Sequence, residues 1–246
     1  MSSTRAYKLG GPALEDASLL GFLAKEIRRE EGRVLLVHGG GPVINRLLKQ
    51  LAIESRFVGG RRVTTREAMD AVEMALSGLV NKALAAGLTR AGLRALGLSA
   101  RDGGMIRARL EEGLGQVGTP EAVDVAPLEA AWAAGFLPVV SPVALGPEGE
   151  AVNVNADEAA LGLARAVGAS RLIYLSDVDG VRVGERAVET LAAQEMERLI
   201  ADGTISGGMA LKVRVALDAV QGGIPEVVIA GKARLLGEFP GTRIIN

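Results

Sequence analysis

Two lysines stand beside glycine turns in this chain, and both turns suit an anion. Lys8 lies just before Gly10-Gly11, at the end of a short candidate strand from Arg5 to Leu9. A lysine there can project towards whatever the glycine loop holds, although on this stretch alone an exposed surface lysine is the simpler reading. Lys212 falls in the first turn of a helix that follows the loop Gly203-Thr204-Ile205-Ser206-Gly207-Gly208. A cation in that place opposes the helix dipole, and an anion in the loop would offset the cost. Between them, the stretch RVLLVHGGGPVIN (Arg33 to Asn45) gives a buried strand, three glycines and a helix start, with Pro42 where a first helical turn accepts it. Without Cβ atoms, Gly39, Gly40 and Gly41 let backbone N–H groups approach a carboxylate or phosphate at the positive end of the helix.

Other candidates follow from the same logic. Asn155 is a good N-cap, Glu158 sits where a capping box would use it, and Asp157 lies in the first turn. Asn153, two residues before the cap, can reach the same ligand. Arg61 and Arg62, in FVGGRRVTT, are candidates for a bidentate carboxylate clamp, although on this stretch alone two solvated hairpin arginines are the simpler reading. Asp177-Val178-Asp179-Gly180 is an acidic turn at the end of the apolar run RLIYLS, the place where open α/β sheets hold ligands. The spacing of its acids is not that of a calcium loop.

Several anion-cradling turns with lysines and no cysteine point to phosphoryl transfer, which runs mainly on positioning and charge neutralisation. Neither the Walker pattern nor GxGxxG after a strand is present. The net charge of −1 and 3% aromatic content argue against nucleic-acid binding. No apolar run reaches 18 residues and the N-terminus lacks a signal-type apolar region, so we expect no membrane partner and a cytoplasmic location.

The elements that must position these groups alternate from end to end. Apolar runs at 34–37, 136–140, 171–176 and 225–230 read as buried strands, and helical periodicity marks 19–27, 42–52, 67–84, 128–134, 155–167, 188–199 and 209–220. Asp16 is a candidate cap for the first of these helices. Pro120 is expected to open a new segment, Gly87 to end a helix, and Ile244-Ile245 to form an edge strand. This alternation predicts an α/β fold, an open mostly parallel sheet in three αβα layers, within one domain over 1–246.

Read together and in order, the motifs resemble the amino-acid-kinase family, and within it the branch that phosphorylates acetylglutamate. They are KLGG at 8–11, VHGGG at 37–41, GRRVT at 60–64, VEM at 72–74, VNK at 80–82 and GLSARDGG at 97–104. PVVS at 138–141, NVNAD at 153–157, LSDVDG at 175–180, GGMALK at 207–212 and GTRI at 241–244 complete the series. The resemblance implies an acyl-amino-acid lobe over about 1–165 and a nucleotide lobe over about 166–246. It implies that Gly40, Gly41, Arg62 and Asn153 bind N-acetyl-L-glutamate, with Arg62 preferred to Arg61 because it directly precedes Val63-Thr64. Lys8 and Lys212 would neutralise the migrating phosphoryl group, and Asp157 would hold both lysines. Gly10, Gly11, Asp177, Val178, Asp179, Gly180, Val181, Arg182, Thr204, Ile205 and Ser206 would line the ATP site. Mg2+ would come with ATP, with no separate protein metal site.

A γ-carboxylate is already ionised at pH 7 and needs no general base. His38, the only histidine, is therefore expected to be structural. Arg5 and Tyr7 make the first strand unusually polar for a core strand, and Pro12 would stiffen the loop after it. Arginine-inhibited relatives carry an additional N-terminal helix, and only seven residues precede Lys8 here. The expectation is a homodimer built through the 67–84 helix and insensitive to arginine, with a PII-type regulator not indicated. The alternatives are a kinase for carrier-protein-linked aminoadipate or glutamate in lysine biosynthesis, and a catalytically silent nucleotide-binding regulator.

Overall fold

The computed structural model describes residues 3–10, 14, 19–184, 186–205 and 207–245. The expectations for Gly11, Pro12, Asp16 and Ser206 lie outside the described residues. The chain begins with β1 (Thr4–Leu9), α1 (Leu19–Arg29), β2 (Arg33–His38) and α2 (Gly41–Gln50). A hairpin, β3 (Arg56–Val58) and β4 (Arg61–Val63), leads into α3 (Arg66–Arg90). Then come β5 (Ala95–Ser99), β6 (Ile106–Leu110), β7 (Val117–Val123), α4 (Ala126–Ala133), β8 (Leu137–Ser141), β9 (Val143–Leu145) and β10 (Ala151–Val154). After α5 (Ala156–Ala166) and β11 (Arg171–Leu175) follow β12 (Arg182–Val183), β13 (Arg186–Ala187), β14 (Thr190–Ala192) and α6 (Ala193–Ala201). The chain closes with α7 (Gly207–Gln221), β15 (Glu226–Ala230), α8 (Lys232–Leu236) and β16 (Thr242–Ile245).

Eight strands form one sheet in the order β14-β16-β15-β11-β1-β2-β8-β5, parallel throughout except at β15–β16. Side chains alternate between its faces. Tyr7 and Leu9 of β1 pack with Leu23 and Ile27 of α1, Leu84 and Leu88 of α3 and Leu235 of α8. Ala6 of the same strand joins Leu163 of α5, Met196 of α6 and Val213 of α7 on the other side. The αβα layering is thus as expected, and burial on both faces explains the unbroken VLLV run of β2.

The polarity of β1 has a local explanation. The Tyr7 ring is fully buried, and its hydroxyl shares its one proton between Glu26 of α1 at 3.1 Å and Glu30, just past the end of that helix, at 2.9 Å. Arg5 pairs with Glu30 at 2.8 Å.

Four local expectations are corrected. The helix expected over 188–199 starts as strand β14, because Thr190–Ala192 pair with Arg243–Ile245 before α6 begins. For the same reason β16 is not the edge; β14 lies outside it. Pro120 lies inside β7, beside the point where Arg107 pairs Ala122 but Ala108 pairs Pro120, so Glu121 is the extra residue of a bulge, a site that tolerates the missing N–H. Gly87 does not end its helix, which runs on to Arg90; a Cβ at Gly87 would stand 2.5 Å from Leu20 Cδ1, so the glycine serves helix packing. This 25-residue helix is long and apolar enough, by length and composition alone, to cross a membrane. Its Leu84 and Leu88 sit in the core beneath the sheet, and its Met74–Val80 turn is π-helical.

A small closed barrel, β10-β7-β6-β9, had no sequence signal. Gly118 belongs to its wall, where a Cβ would meet Arg109 O at 2.6 Å and Val152 Cγ1 at 2.9 Å. Gly118→Ala should lower stability by about 1–3 kcal/mol, since backbone must shift to admit the methyl group. Gly21→Ala on α1, with nothing within 4 Å of the new Cβ, should instead raise it by about 0.5–1 kcal/mol. Urea midpoints of the two variants, measured side by side, check both signs.

Candidate active site

The carboxyl ends of β1 and β2 meet the N-termini of α2 and α5 around a cavity of about 240 Å³. The glycine turn is tied to the sheet by Gly39 N–H donating to Leu9 O at 2.9 Å. Gly40 is the N-cap of α2, with Pro42 in the first turn and no side-chain cap among the described residues, so the helix end can offer N–H groups to a guest. A Cβ on Gly40 would stand 2.7 Å from Leu76 Cδ2 and 3.1 Å from Val80 Cγ2, so the π-helical turn of α3 itself demands glycine there. A Cβ on Gly41 would meet nothing within 4 Å, which leaves that side of the turn open. Arg62 and Asn153 complete the wall, so all four residues expected to bind the acyl-amino acid line one cavity. Asn153 donates through Nδ2 to Thr64 Oγ1 at 3.2 Å.

The two arginines are partitioned by the pleat of β4. Arg62 is nearly buried; it donates to Asn45 Oδ1 at 2.7 Å and to Ser55 Oγ, and stacks 4.6 Å over the Phe57 ring. Among the described residues it has no carboxylate at ion-pair distance, and burial pushes its pKa down. A desolvated guanidinium with only neutral partners is suited to an incoming carboxylate. Arg61 is instead taken by Glu158 at 2.5 Å and Glu111 at 3.7 Å. Glu158 therefore serves a tertiary pair, not the capping box expected of it, while Asn155 caps α5 by accepting from Asp157 N–H at 2.8 Å.

Behind this cavity, Lys8 and Asp157 also line a smaller one of about 20 Å³, together with Tyr174, Ser176 and Lys212. Lys8 Nζ lies 2.8 Å from Asp157 Oδ1. Gly10 makes room for that ammonium, since a Cβ there would sit 2.6 Å from Lys8 Nζ. Lys212 is not held by Asp157, as expected for both lysines; it pairs with Asp177, just past the end of β11. That hydrogen bond holds the Asp177 carboxyl below its usual range.

The residues expected to line the nucleotide site are strung along the β11 end of the sheet, and neither cavity includes 177–182 or 204–205. Val178 N–H donates to Ser176 Oγ at 3.4 Å, and Asp179 Oδ1 accepts from Ala233 N–H at 2.9 Å in the first turn of α8. Gly180 and Val181 are buried, and Val181 N–H donates to Thr242 Oγ1 at 2.7 Å. Arg182 and Thr204 are exposed, while Ile205 is buried with its N–H on Leu199 O at 2.8 Å. Gly10 N–H donates to Leu175 O at 2.9 Å.

His38 is fully buried, and burial pushes its pKa down to about 4. Gly39 O can only accept, so Nδ1 carries the proton at 2.7 Å from it and Nε2 accepts from Asn81 Nδ2 at 3.0 Å. This neutral, enclosed ring is structural, as the sequence suggested. Its partner Asn81, whose Nδ2 shares two protons among His38 Nε2, Leu98 O at 3.1 Å and Val139 O at 2.8 Å, ties α3 to β5 and β8 behind the glycine turn. Asn81 was not singled out from the sequence, although its VNK context was visible.

The Lys8–Asp157 pair lines both the cavity walled by Arg62 and the smaller one lined by Lys212 of α7, an arrangement suited to phosphoryl transfer to a small acid. The chain belongs to the amino acid kinase family, which it matches over residues 3–231. It is 39% identical to the acetylglutamate kinase of Bacillus velezensis, covering 100% of this chain and 98% of the relative. It is 42% identical to that of Geobacillus thermodenitrificans, covering 99% and 97%. Among solved structures, smu.665 from Streptococcus mutans superposes with a TM-score of 0.82 at 25% identity, covering 98% of each chain.

The buried His38 makes a pH prediction. Its pKa is lower folded than unfolded, so its stabilisation is complete above about 6.5 and is lost as pH falls towards 4. The loss amounts to about 3 kcal/mol at most, by the free energy of a pKa shift of this size. Urea unfolding between pH 4 and 7 should show a shallower slope in His38→Gln than in the parent.

Proposed function

We propose that this chain transfers the γ-phosphoryl group of ATP to the side-chain carboxylate of N-acetyl-L-glutamate, giving N-acetylglutamyl 5-phosphate in arginine biosynthesis in the cytoplasm. The observation that carries the reading is the Lys8–Asp157 pair, which lines both the acceptor cavity and the small cavity of Lys212. In this reading Arg62 and the free N–H groups of α2 take the α-carboxylate, Gly40 and Gly41 give the backbone access, and Asn153 orients the acyl-amino acid. The γ-carboxylate then faces Lys8.

One carboxylate oxygen attacks the γ-phosphorus. The new O–P bond forms as the bond to the β,γ-bridging oxygen breaks, and that electron pair leaves on ADP. The acceptor is ionised at pH 7, so no proton has to move and no histidine is required. Lys8 and Lys212 approach the transferred group from β1 and α7 and neutralise its oxygens as charge shifts. Asp157 and Asp177 keep the two ammonium groups aimed.

ATP would lie along Asp177–Arg182 and Thr204–Ser206, with Gly10 and Gly11 beside its phosphates. The N–H groups of Gly10, Val178, Val181, Thr204 and Ile205 are spent on internal bonds, so the exposed side chains of Arg182 and Thr204 would do much of that binding. The two lobes of about 1–165 and 166–246 follow from this division of substrates. Magnesium enters as part of the substrate Mg-ATP; among the described residues no group of three or more His, Cys, Asp or Glu is placed to hold a metal. The homodimer is proposed through α3, where Met74 and Leu79 are about half exposed despite being large and apolar.

Hydroxylamine trapping of the acyl phosphate, alongside ADP release, tests the reaction. Turnover is expected with N-acetyl-L-glutamate and not with free glutamate, aspartate, carbamate or UMP. Turnover only with a carrier-linked aminoadipate would move the acceptor assignment while keeping the chemistry. Lys8→Ala and Lys212→Ala should each lower kcat about 10²–10³-fold, the usual cost of removing one transition-state donor. Full activity of either variant would overturn the lysine roles. Sedimentation of Leu79→Glu against the parent tests the dimer, with a shift towards monomer expected.

A further inference from the structure

Arg61 has no part in the reaction as written, yet on the acceptor cavity's rim its guanidinium is held by two acids. Its NH2 donates to Glu158 Oε1 at 2.5 Å, and its NH1 lies 3.7 Å from Glu111 Oε1. The Arg61 and Glu158 side chains are each roughly three-quarters buried, at 26% and 29% exposure. Glu158 Oε2 is buried with no hydrogen-bond partner among the described residues. Desolvation pushes the Glu158 carboxyl up, and the Arg61 guanidinium pulls it back. Such a carboxylate depends on its one cation, and a partly buried pair is worth more than an exposed one.

The place of this pair in the fold gives it a role. Thr64 fixes one end of the β3–β4 hairpin: its N–H donates to Leu114 O at 3.0 Å and its O accepts from Gln116 N–H at 2.7 Å. Residues 56–60 of the hairpin are exposed. Arg61 is the residue that reaches from β4 across to α5. Arg62, the next residue, points to the opposite side of the strand, so what fixes Arg61 also fixes the direction of Arg62. Glu158 adjoins Asp157, which holds Lys8. One turn of α5 therefore refers the carboxylate clamp and the phosphoryl-side lysine to a common origin.

We propose that Arg61 and Glu158, backed by Glu111, are positioning residues that set the Arg62 guanidinium for the acceptor's carboxylate. This rests on the reading that the cavity takes N-acetyl-L-glutamate. The pair touches no reacting atom, so its loss shows in acceptor affinity more than in turnover.

The test compares the intact parent with Arg61→Ala, Arg61→Lys and Glu158→Gln. In Arg61→Ala the KM for N-acetyl-L-glutamate should rise about ten-fold, with kcat and the KM for Mg-ATP changed less than about three-fold. Arg61→Lys, which keeps the charge, should recover most of that loss, and Glu158→Gln should move KM in the same direction as Arg61→Ala. Hydrogen exchange of the amides of residues 56–63 in the ligand-free protein should be faster in Arg61→Ala and near the parent rate in Arg61→Lys. An unchanged acceptor KM in Arg61→Ala, or equal increases for both substrates that lysine does not recover, would overturn the proposal. Unchanged hairpin exchange would overturn it as well. If the parent does not phosphorylate N-acetyl-L-glutamate, the functional reading fails, and the exchange measurement still decides whether the pair holds the hairpin.

Discussion

The contact on which the site depends is the ion pair between Lys8 Nζ and Asp157 Oδ1, at 2.8 Å. Lys8 is locked in register between Val37 of β2 and Tyr174 of β11, in the middle of the sheet. Asp157 sits in the first turn of α5, where the helix dipole favours its negative charge. The pair thus fastens a central strand to a crossing helix at the carboxyl edge of the sheet. The pair lines both the cavity walled by Arg62 and Asn153 and the chamber of Lys212. Moving β1 by one residue would turn Lys8 to the opposite face, and no local adjustment would restore the pair.

Around this contact the protein handles charge by division. Each lysine has its own aspartate, Asp157 for Lys8 and Asp177 for Lys212. Each arginine of the hairpin has its own environment. Arg61 is neutralised by acids, while Arg62 is left with neutral hydrogen bonds and an aromatic face. A cation that has lost water and gained no counter-ion favours an anionic guest. One that is already paired serves the scaffold. Two neighbouring residues of the same type therefore take different duties because the strand pleat sends them to different sides.

Much of this was legible in the sequence. The VLLV run followed by three glycines and a proline gave strand, turn and helix. The local geometry is dictated by residue types: Pro42 in the first turn, Asn155 as N-cap, and the Gly59-Gly60 turn with positive φ at both residues joining β3 to β4. The errors share a cause. Thr190–Ala192 look helical in isolation and become a strand because β16 is there to pair with. Pro120 looks like a boundary and is absorbed by a bulge. Gly87 looks like a helix end and instead makes room for Leu20. Each decision was made by a partner distant in the chain.

The same division holds for the site. Sequence by itself determined which groups are available: lysines beside glycine turns, an aspartate at a helix start, arginines on a hairpin, and one histidine not needed for the chemistry. These follow from residue identity and from backbone rules that act over a few positions. Tertiary structure alone decided which groups meet. It gave Lys212 to Asp177, turned Glu158 from a capping role to Arg61, and enclosed His38 against Asn81. The physical reason is range: caps, turns and periodicity act within one or two helical turns, whereas ion pairing, burial and desolvation depend on segments 35 to 97 residues apart being brought within a few ångströms.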